Sequence, residues 1–118
     1  MTLSNVVFAD NDAATSGSVL YQYSGTVDSD FLTLVDNTGN YGALYQVSGS
    51  GSLTNSILIG NEGVGIYKSG STVTNPMTTE YNGYYDNEDG STGPSSLTGA
   101  TDLDGEAPQF LDADGGDY

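Results

Sequence analysis

Carboxylates are the only plentiful side chains in this sequence with the chemistry for acid–base catalysis or metal binding. The 118 residues include sixteen Asp and Glu but one basic residue, no His and no Cys, for a net charge of −15. Asp10 and Asp12 flank Asn11, and Asp36 could lie one coil above them, so a general acid–base pair at this turn is the one catalytic arrangement to weigh. Acidic turn residues are more commonly just solvated, and the serines have no histidine to activate them. We therefore predict no catalytic residues and no enzyme activity.

A calcium ion near the C-terminus is the better chemical hypothesis. Alternate carboxylates stand beside glycine in two tail segments, and Asn87-Glu88-Asp89-Gly90 is similar. Hard cations favour several oxygens that converge from a short turn, although no segment matches the full twelve-residue calcium loop with its terminal Glu. The candidate ligands are Asp102, Asp104, Asp112, Asp114 and Asp117.

The charge balance excludes several classes of partner. Nucleic-acid binding needs a basic surface, which is absent, and repulsion disfavours anionic membranes and polyanionic substrates. No apolar run is long enough to span a bilayer, and no signal-peptide pattern follows Met1, which predicts a mature chain or an excised fragment. Such acidity fits either a chain adapted to high salt or an ordinary secreted surface protein, and composition leaves both open.

The elements that would position these residues come from an internal repeat over residues 2–25, 26–49 and 50–70. An asparagine follows a large apolar residue by three positions, and a tyrosine follows an aliphatic residue shortly before Ser-Gly. These two landmarks recur in step, at one nearly constant interval along the chain. The repeated residues are Asn11, Asn37 and Asn61, and Tyr21, Tyr45 and Tyr67. A period in the twenties is typical of a solenoid.

Strand alternation predicts which side chains of each coil point inward. Leu20, Leu44 and Ile66 would form an inward column, and the three tyrosines that follow them an outward row. Exposed aromatic rings can serve as a platform for sugars or a partner. They can equally cover one another and stabilise neighbouring coils, which is the favoured interpretation.

A second set of asparagines predicts sharp bends within strands. Asn5, Asn55 and Asn75 each come two residues after an aliphatic residue, and asparagine tolerates left-handed backbone. In the second coil this place falls on Asp30 or Phe31, which predicts a local bulge. Stacked asparagines can bond to one another along the axis, so we favour scaffolding over binding for them.

The repeat is expected to decay from Ser71, in a fourth coil over 71–99, because Pro76 removes a strand donor. Asn82 follows Asn61 sooner than the interval between the earlier asparagines would place it. A loop-rich tail over 100–118 follows, with Phe110-Leu111 expected to dock on the last coil.

These motifs resemble a known group of secreted proteins. Phe8-x-x-Asn11, its Leu-x-x-Asn relatives and Gly42-Ala-Leu-Tyr45 are similar to the FxxN and GGA(I/L) repeats of polymorphic outer-membrane proteins. Asn82-Gly-Tyr-Tyr85, Pro108-Gln-Phe-Leu-Asp112 and Gly116-Asp-Tyr118 look like the last coil of bacterial surface β-helix proteins. The resemblance implies an all-β, right-handed parallel β-helix of about four to five coils, typical of surface adhesins and autotransporter passengers. Polysaccharide lyases and hydrolases of this fold use basic residues, and this chain has only Lys68.

Two functions therefore stand as hypotheses. The first is a non-catalytic structural module of an extracellular or cell-surface β-solenoid. Its N-terminus enters a strand with no polar cap, which favours excision from a longer chain or stacking of subunits end to end into a filament. The alternative is a carbohydrate-binding module that uses the tyrosine row and the 81–89 loop. Its candidate residues are Tyr21, Tyr45, Tyr67, Tyr84, Tyr85 and Asp86.

Overall fold

The chain folds as an all-β parallel solenoid of about four turns. In the computed structural model, residues 1–69, 77–89, 92–93 and 99–105 are described. Their strands are β1 (Thr2–Ala9), β2 (Asp12–Ala13), β3 (Leu20–Gln22), β4 (Thr26–Val35), β5 (Thr38–Gly39), β6 (Leu44–Gln46), β7 (Ser50–Thr54), β8 (Ile57–Ile59), β9 (Ile66–Lys68), β10 (Thr78–Glu80), β11 (Gly83–Tyr85), β12 (Thr92–Gly93) and β13 (Leu103–Asp104). Within these residues no helix is long and apolar enough to cross a membrane. The solenoid predicted from the repeat is confirmed.

Three parallel sheets form the sides of the coil. The largest runs β10-β7-β4-β8-β11-β13, with β1 also paired to β4; the second runs β12-β9-β6-β3; the third joins β2 and β5. Each strand pairs with its equivalent one coil away, as Leu20 does with Leu44 and Leu44 with Ile66. The interval of the sequence repeat is therefore the number of residues that separates paired positions in neighbouring coils.

Each coil turns two corners through single residues in left-handed backbone. Asn5, Phe31, Asn55 and Tyr81 form the first corner, with φ between 51° and 60°. Asp10, Asp36, Gly60 and Asp86 form the second, with φ between 51° and 60°. The predicted bends at Asn5 and Asn55 are confirmed.

The bulge predicted for the second coil was wrong. Phe31 turns the corner without one, because the pairing offset is the same before it (Asp30 with Thr54) and after it (Thr33 with Ile57). In the fourth coil Tyr81 takes the first corner, since Glu80 pairs with Thr54. The bend predicted at Asn75 lies outside the described residues.

The expected decay of the repeat was also wrong for the described residues of the fourth coil, 77–89 and 92–93, while Ser71 and Pro76 lie outside the described residues. Tyr84 pairs with Leu58, so it continues the inward series of Phe8, Leu34 and Leu58. Asn87 is joined to Asn61 as Asn37 is to Asn11, and it takes the asparagine position that had been sought at Asn82. Tyr84-x-x-Asn87 is thus a fourth copy of the motif, with a tyrosine in the apolar position.

The interior is a narrow stack of apolar side chains from successive coils. The predicted inward column is confirmed, because Leu44 and Ile66 are buried and Leu20 packs against the same cluster. The first coil differs from the second, since its inward side chains are only partly buried. The partly buried set is Leu3, Val6, Phe8, Val19 and Leu20.

Candidate functional site

A ladder of asparagines runs along the second corner and ties the four coils together. The Oδ1 of Asn37 accepts bonds from the main-chain N–H (3.1 Å) and Nδ2 (2.8 Å) of Asn11. Asn61 accepts the same pair from Asn37, and Asn87 the same pair from Asn61. In each of these pairs the asparagine of one coil donates to Oδ1 of the asparagine in the following coil. Among the described residues the ladder therefore has a direction, with its acceptor end at Asn11 and its donor end at Asn87.

Each ladder amide also donates to a main-chain carbonyl. Asn37, Asn61 and Asn87 bond through Nδ2 to the carbonyl oxygens of Phe8, Leu34 and Leu58, at 3.0 to 3.1 Å. These amides are buried, and a buried amide is tolerated only when its donors and acceptor are paired. This geometry gives the asparagines of the second corner a scaffolding role. The ladder was expected instead at the first corner, where Asn5 and Asn55 are separated by Phe31 and bond to Ser4 and Asp30.

A second, mixed ladder follows the first corner and ends on a carboxylate. The main-chain N–H of Leu32 donates to Ser56 Oγ, and that of Ser56 to Asn82 Oδ1. Asn82 donates to Asp102 Oδ1 from its main chain (2.8 Å) and from Nδ2 (3.1 Å). Asp102 Oδ2 accepts from the main-chain N–H of Gly99 at 2.7 Å. Asp102 thus closes this ladder.

This use of Asp102 bears on the predicted calcium ligands. Both of its carboxylate oxygens accept protein hydrogen bonds, while Asp104 is exposed. Within the described residues, no three metal-ligating side chains converge. Asp112, Asp114 and Asp117, and the Phe110-Leu111 pair, lie outside the described residues. Calcium binding by the tail stays a prediction.

Some candidate sugar-binding residues of the 81–89 loop are exposed, and one is buried in the core. Tyr84 is 1% exposed, so the expectation that its ring offers a face to a sugar was wrong; the ring fills the interior column above Leu58. Burial, and then the nearby Asp102 carboxylate, raise the pKa of the Tyr84 phenol. Tyr81, Tyr85 and Asp86 are exposed.

The predicted tyrosine row exists and is a packed cluster. The rings of Tyr21 and Tyr45 lie 5.2 Å apart and those of Tyr45 and Tyr67 5.1 Å apart, both edge to face. Tyr41 adds a ring that the sequence argument did not include, stacked on Tyr45 at 5.0 Å and tilted against Tyr67 at 5.0 Å. Since the rings cover one another, the cluster favours the stabilising role over a free platform.

Two of the three carboxylates considered for catalysis lie at the same corner, and the third lies on the next side of the coil. Asp10 and Asp36 occupy equivalent left-handed positions in neighbouring coils, and Asp12 pairs with Thr38 on the next side. Asp10, Asp12 and Asp36 are all exposed to solvent. A general acid–base pair usually relies on a partly buried carboxyl group, and this corner offers no such environment.

The first coil presents an open surface at the N-terminal end of the solenoid. Val6 and Phe8 are partly buried, whereas their partners Leu32 and Leu34 in the second coil are fully buried. The outer edge of β1 pairs with no strand among the described residues. The direction of the asparagine ladder could not be read from the sequence and required the structure.

A scan against protein-family models, a search of curated proteins and a search of solved structures each found no match. Inference about function therefore rests on the geometry of this chain.

Proposed function

We propose that this chain is a non-catalytic structural module of an extracellular or cell-surface β-solenoid, and that copies associate end to end through the first coil. The observation that carries the proposal is the open face of that coil. Phe8 is only partly buried there, although Leu34, Leu58 and Tyr84 at the same position of the next three coils are buried. Apolar area of this kind is stabilised by a further coil stacked upon it.

The occupant that fits this face is a second copy of the chain. The first coil offers the acceptor end of the asparagine ladder at Asn11, and Asn87 in the fourth coil is the last member of the ladder among the described residues. Part of the fourth coil is already covered, because β13 pairs with β11, so the contact would be made on the Asn87 side of that coil. A head-to-tail contact would continue the ladder by the same two hydrogen bonds that join the coils within one chain. Such a contact is heterologous, so it extends into a filament unless the rotation closes a ring.

The negative charge of the chain opposes this association at low ionic strength, so association should depend on salt. With a net charge of −15, two copies repel over roughly 10 Å at about 0.1 M salt and over less at higher salt. Salt also strengthens apolar burial when the anion is kosmotropic. Association should therefore increase with salt, which is consistent with both the high-salt and the surface-protein interpretations.

Light scattering of paired variants tests the proposal. Phe8→Lys places a charge on the open face, and Val7→Lys places the same charge on the opposite side of β1, where the side chain is 56% exposed. We expect wild type and Val7→Lys to show mass that rises with concentration and salt, and Phe8→Lys to stay monomeric. Urea unfolding checks that Phe8→Lys is folded. Equal masses for all three proteins would contradict the assignment of this face.

A further inference from the structure

We propose that Phe31 and Tyr81 form a binding surface for a neutral, extended β-1,4-linked polysaccharide that lies along the solenoid axis. This function goes beyond the structural role above and does not require end-to-end association. The two rings belong to the first-corner column, which we define as Asn5, Phe31, Asn55 and Tyr81.

Backbone strain at these two aromatic residues is the first observation. All four residues of the first-corner column have left-handed backbone, which asparagine adopts readily and a bulky side chain does not. Phe31 and Tyr81 are 54% and 62% exposed, so burial of the rings does not offset the strain. Strained positions that the packing does not explain point to a functional constraint.

The spacing of the rings identifies the shape of the ligand. Register places Phe31 and Tyr81 one coil to either side of Asn55, so they stand two coils apart, roughly 10 Å along the axis. In an extended β-1,4-linked chain each sugar is turned over relative to the next, so every second pyranose presents the same face. A disaccharide unit of such a chain is about as long as two coils, and aromatic rings offer apolar area for the C–H face of a sugar.

Between the two rings lie polar groups that can form hydrogen bonds with the hydroxyls of a bound sugar. Asn55 Nδ2 and Thr54 Oγ1 both donate to Asp30 Oδ1, at 2.8 and 2.9 Å. These bonds hold the Asp30 carboxylate next to Phe31 in the chain, where it can accept from a sugar hydroxyl. A net charge of −15 repels uronates and sulfated glycans, which leaves a neutral polysaccharide as the class that fits.

The tyrosine cluster is the contrasting surface. Contacting rings in it lie 5.0 to 5.2 Å apart, so each ring gives part of its surface to a neighbour, and Tyr21 and Tyr41 are 47% and 40% exposed. In the first-corner column an asparagine separates the two aromatic residues. Phe31 and Tyr81 are therefore the more open pair of rings, and of the two only Tyr81 lies in the 81–89 loop named for sugar binding from the sequence.

Retention on polysaccharides tests this proposal. Wild type is mixed with microcrystalline cellulose and with chitin, and run through gels that contain soluble xylan. We expect retention on at least one of them, with affinity at least tenfold lower for Phe31→Asn and for Tyr81→Asn. Both variants should unfold at higher urea than wild type, because asparagine relieves the left-handed strain. Tyr23→Asn removes a ring that is 69% exposed elsewhere and should bind as wild type does.

The outcomes separate this proposal from the structural one. No retention of wild type on any of the three glycans, or equal retention of Phe31→Asn and wild type, would overturn the binding surface. Loss of binding in Tyr23→Asn as well would show non-specific adsorption to aromatic residues and would also overturn it. Light scattering of Phe31→Asn should match wild type, since Phe31 is an exposed corner residue of the second coil and does not belong to the open face of the first coil. This result speaks only to end-to-end association.

Discussion

The asparagine ladder and the first-corner column cross the same four coils at the same intervals, yet they differ in composition. The ladder uses asparagine in every coil. The first-corner column alternates asparagine with an aromatic residue. The ladder is buried over its last three members, while the members of the first-corner column are exposed.

The difference shows what each position demands of its side chain. The side chain of a ladder asparagine accepts through Oδ1 from the preceding coil. Its Nδ2 donates to the asparagine of the following coil and to a main-chain carbonyl. No other side chain of that size has one acceptor oxygen and two N–H donors. A first-corner residue must supply only a left-handed backbone, which many residues can be forced to adopt at some cost. The ladder position therefore requires asparagine in every coil for structural reasons. The first-corner position accepts different side chains, so its side chain can serve binding.

The largest effect should come from the middle of the ladder. Asn61 accepts two bonds from Asn37 and donates to Leu34 and Asn87, so Asn61→Ala leaves buried groups unpaired. We expect the free energy of unfolding to fall by about 3 kcal/mol, measured by urea denaturation. Asn11→Ala at the exposed end should cost about 1 kcal/mol. Equal losses at both positions would contradict the view that burial makes the ladder indispensable.

Alkaline pH should distinguish the buried Tyr84 from the exposed Tyr81. The pKa of Tyr84 is raised in the folded protein, by burial first and then by Asp102, so the folded state keeps a proton that the unfolded state loses. Its contribution to stability is complete below the unfolded pKa of about 10 and falls as pH rises above it, by about 1.4 kcal/mol per pH unit.

Unfolding measured between neutral and alkaline pH checks this sign. Tyr84→Phe should lose less stability than wild type above about pH 10. Tyr81→Phe should follow the wild-type curve. Parallel curves for Tyr84→Phe and wild type would mean that Tyr84 titrates as an exposed phenol.

Exchanging residues within the first-corner column should change stability in opposite directions. Phe31→Asn should raise the free energy of unfolding by about 1 kcal/mol, and Asn55→Phe should lower it by a similar amount, because left-handed backbone disfavours the bulky side chain. Paired urea titrations measure both. A loss of stability in Phe31→Asn would show that the ring packs in the fold and would remove the strain argument.

The smallest effect concerns the acidic second corner. Gly60 stands between Asp36 and Asp86, at the position where the other coils carry aspartate, and a side chain there would press on the Asp36 carboxylate. Gly60→Asp should be less stable than Gly60→Asn by about 0.5 kcal/mol at low salt, since the two differ mainly in charge. The difference should vanish at about 1 M salt. A difference that persists at high salt would show a steric cause.

Sequence reasoning found the solenoid because the register of stacked coils is itself a period in the chain. It predicted a fourth coil over 71–99 but missed that coil's copy of the motif, because tyrosine replaces the apolar residue in Tyr84-x-x-Asn87 and the tyrosine hydroxyl favoured an exposed position. The signal was present, since Asp86-Asn87 follows Gly60-Asn61 by the same interval that separates Asn11 from Asn37. Once the period is extended, Tyr84 falls on an inward position.

Corners were harder to predict than sides. Left-handed backbone was inferred at Asn5 and Asn55 from the residue type, but Phe31 and Tyr81 carry no such preference and are held there by their neighbours in the sheet. Likewise, only the register shows that Asp102 accepts hydrogen bonds from Asn82 and Gly99 at the end of a ladder; calcium binding by Asp102 stays a prediction. Tertiary context decides both cases.

Electron microscopy of the purified chain across salt and protein concentration tests the central claim most directly. If the open first coil accepts a second copy, wild type and Val7→Lys will form uniform filaments of single-solenoid width at high salt, and Phe8→Lys will not. Monodisperse single particles of wild type at every concentration and salt would contradict end-to-end association through this face.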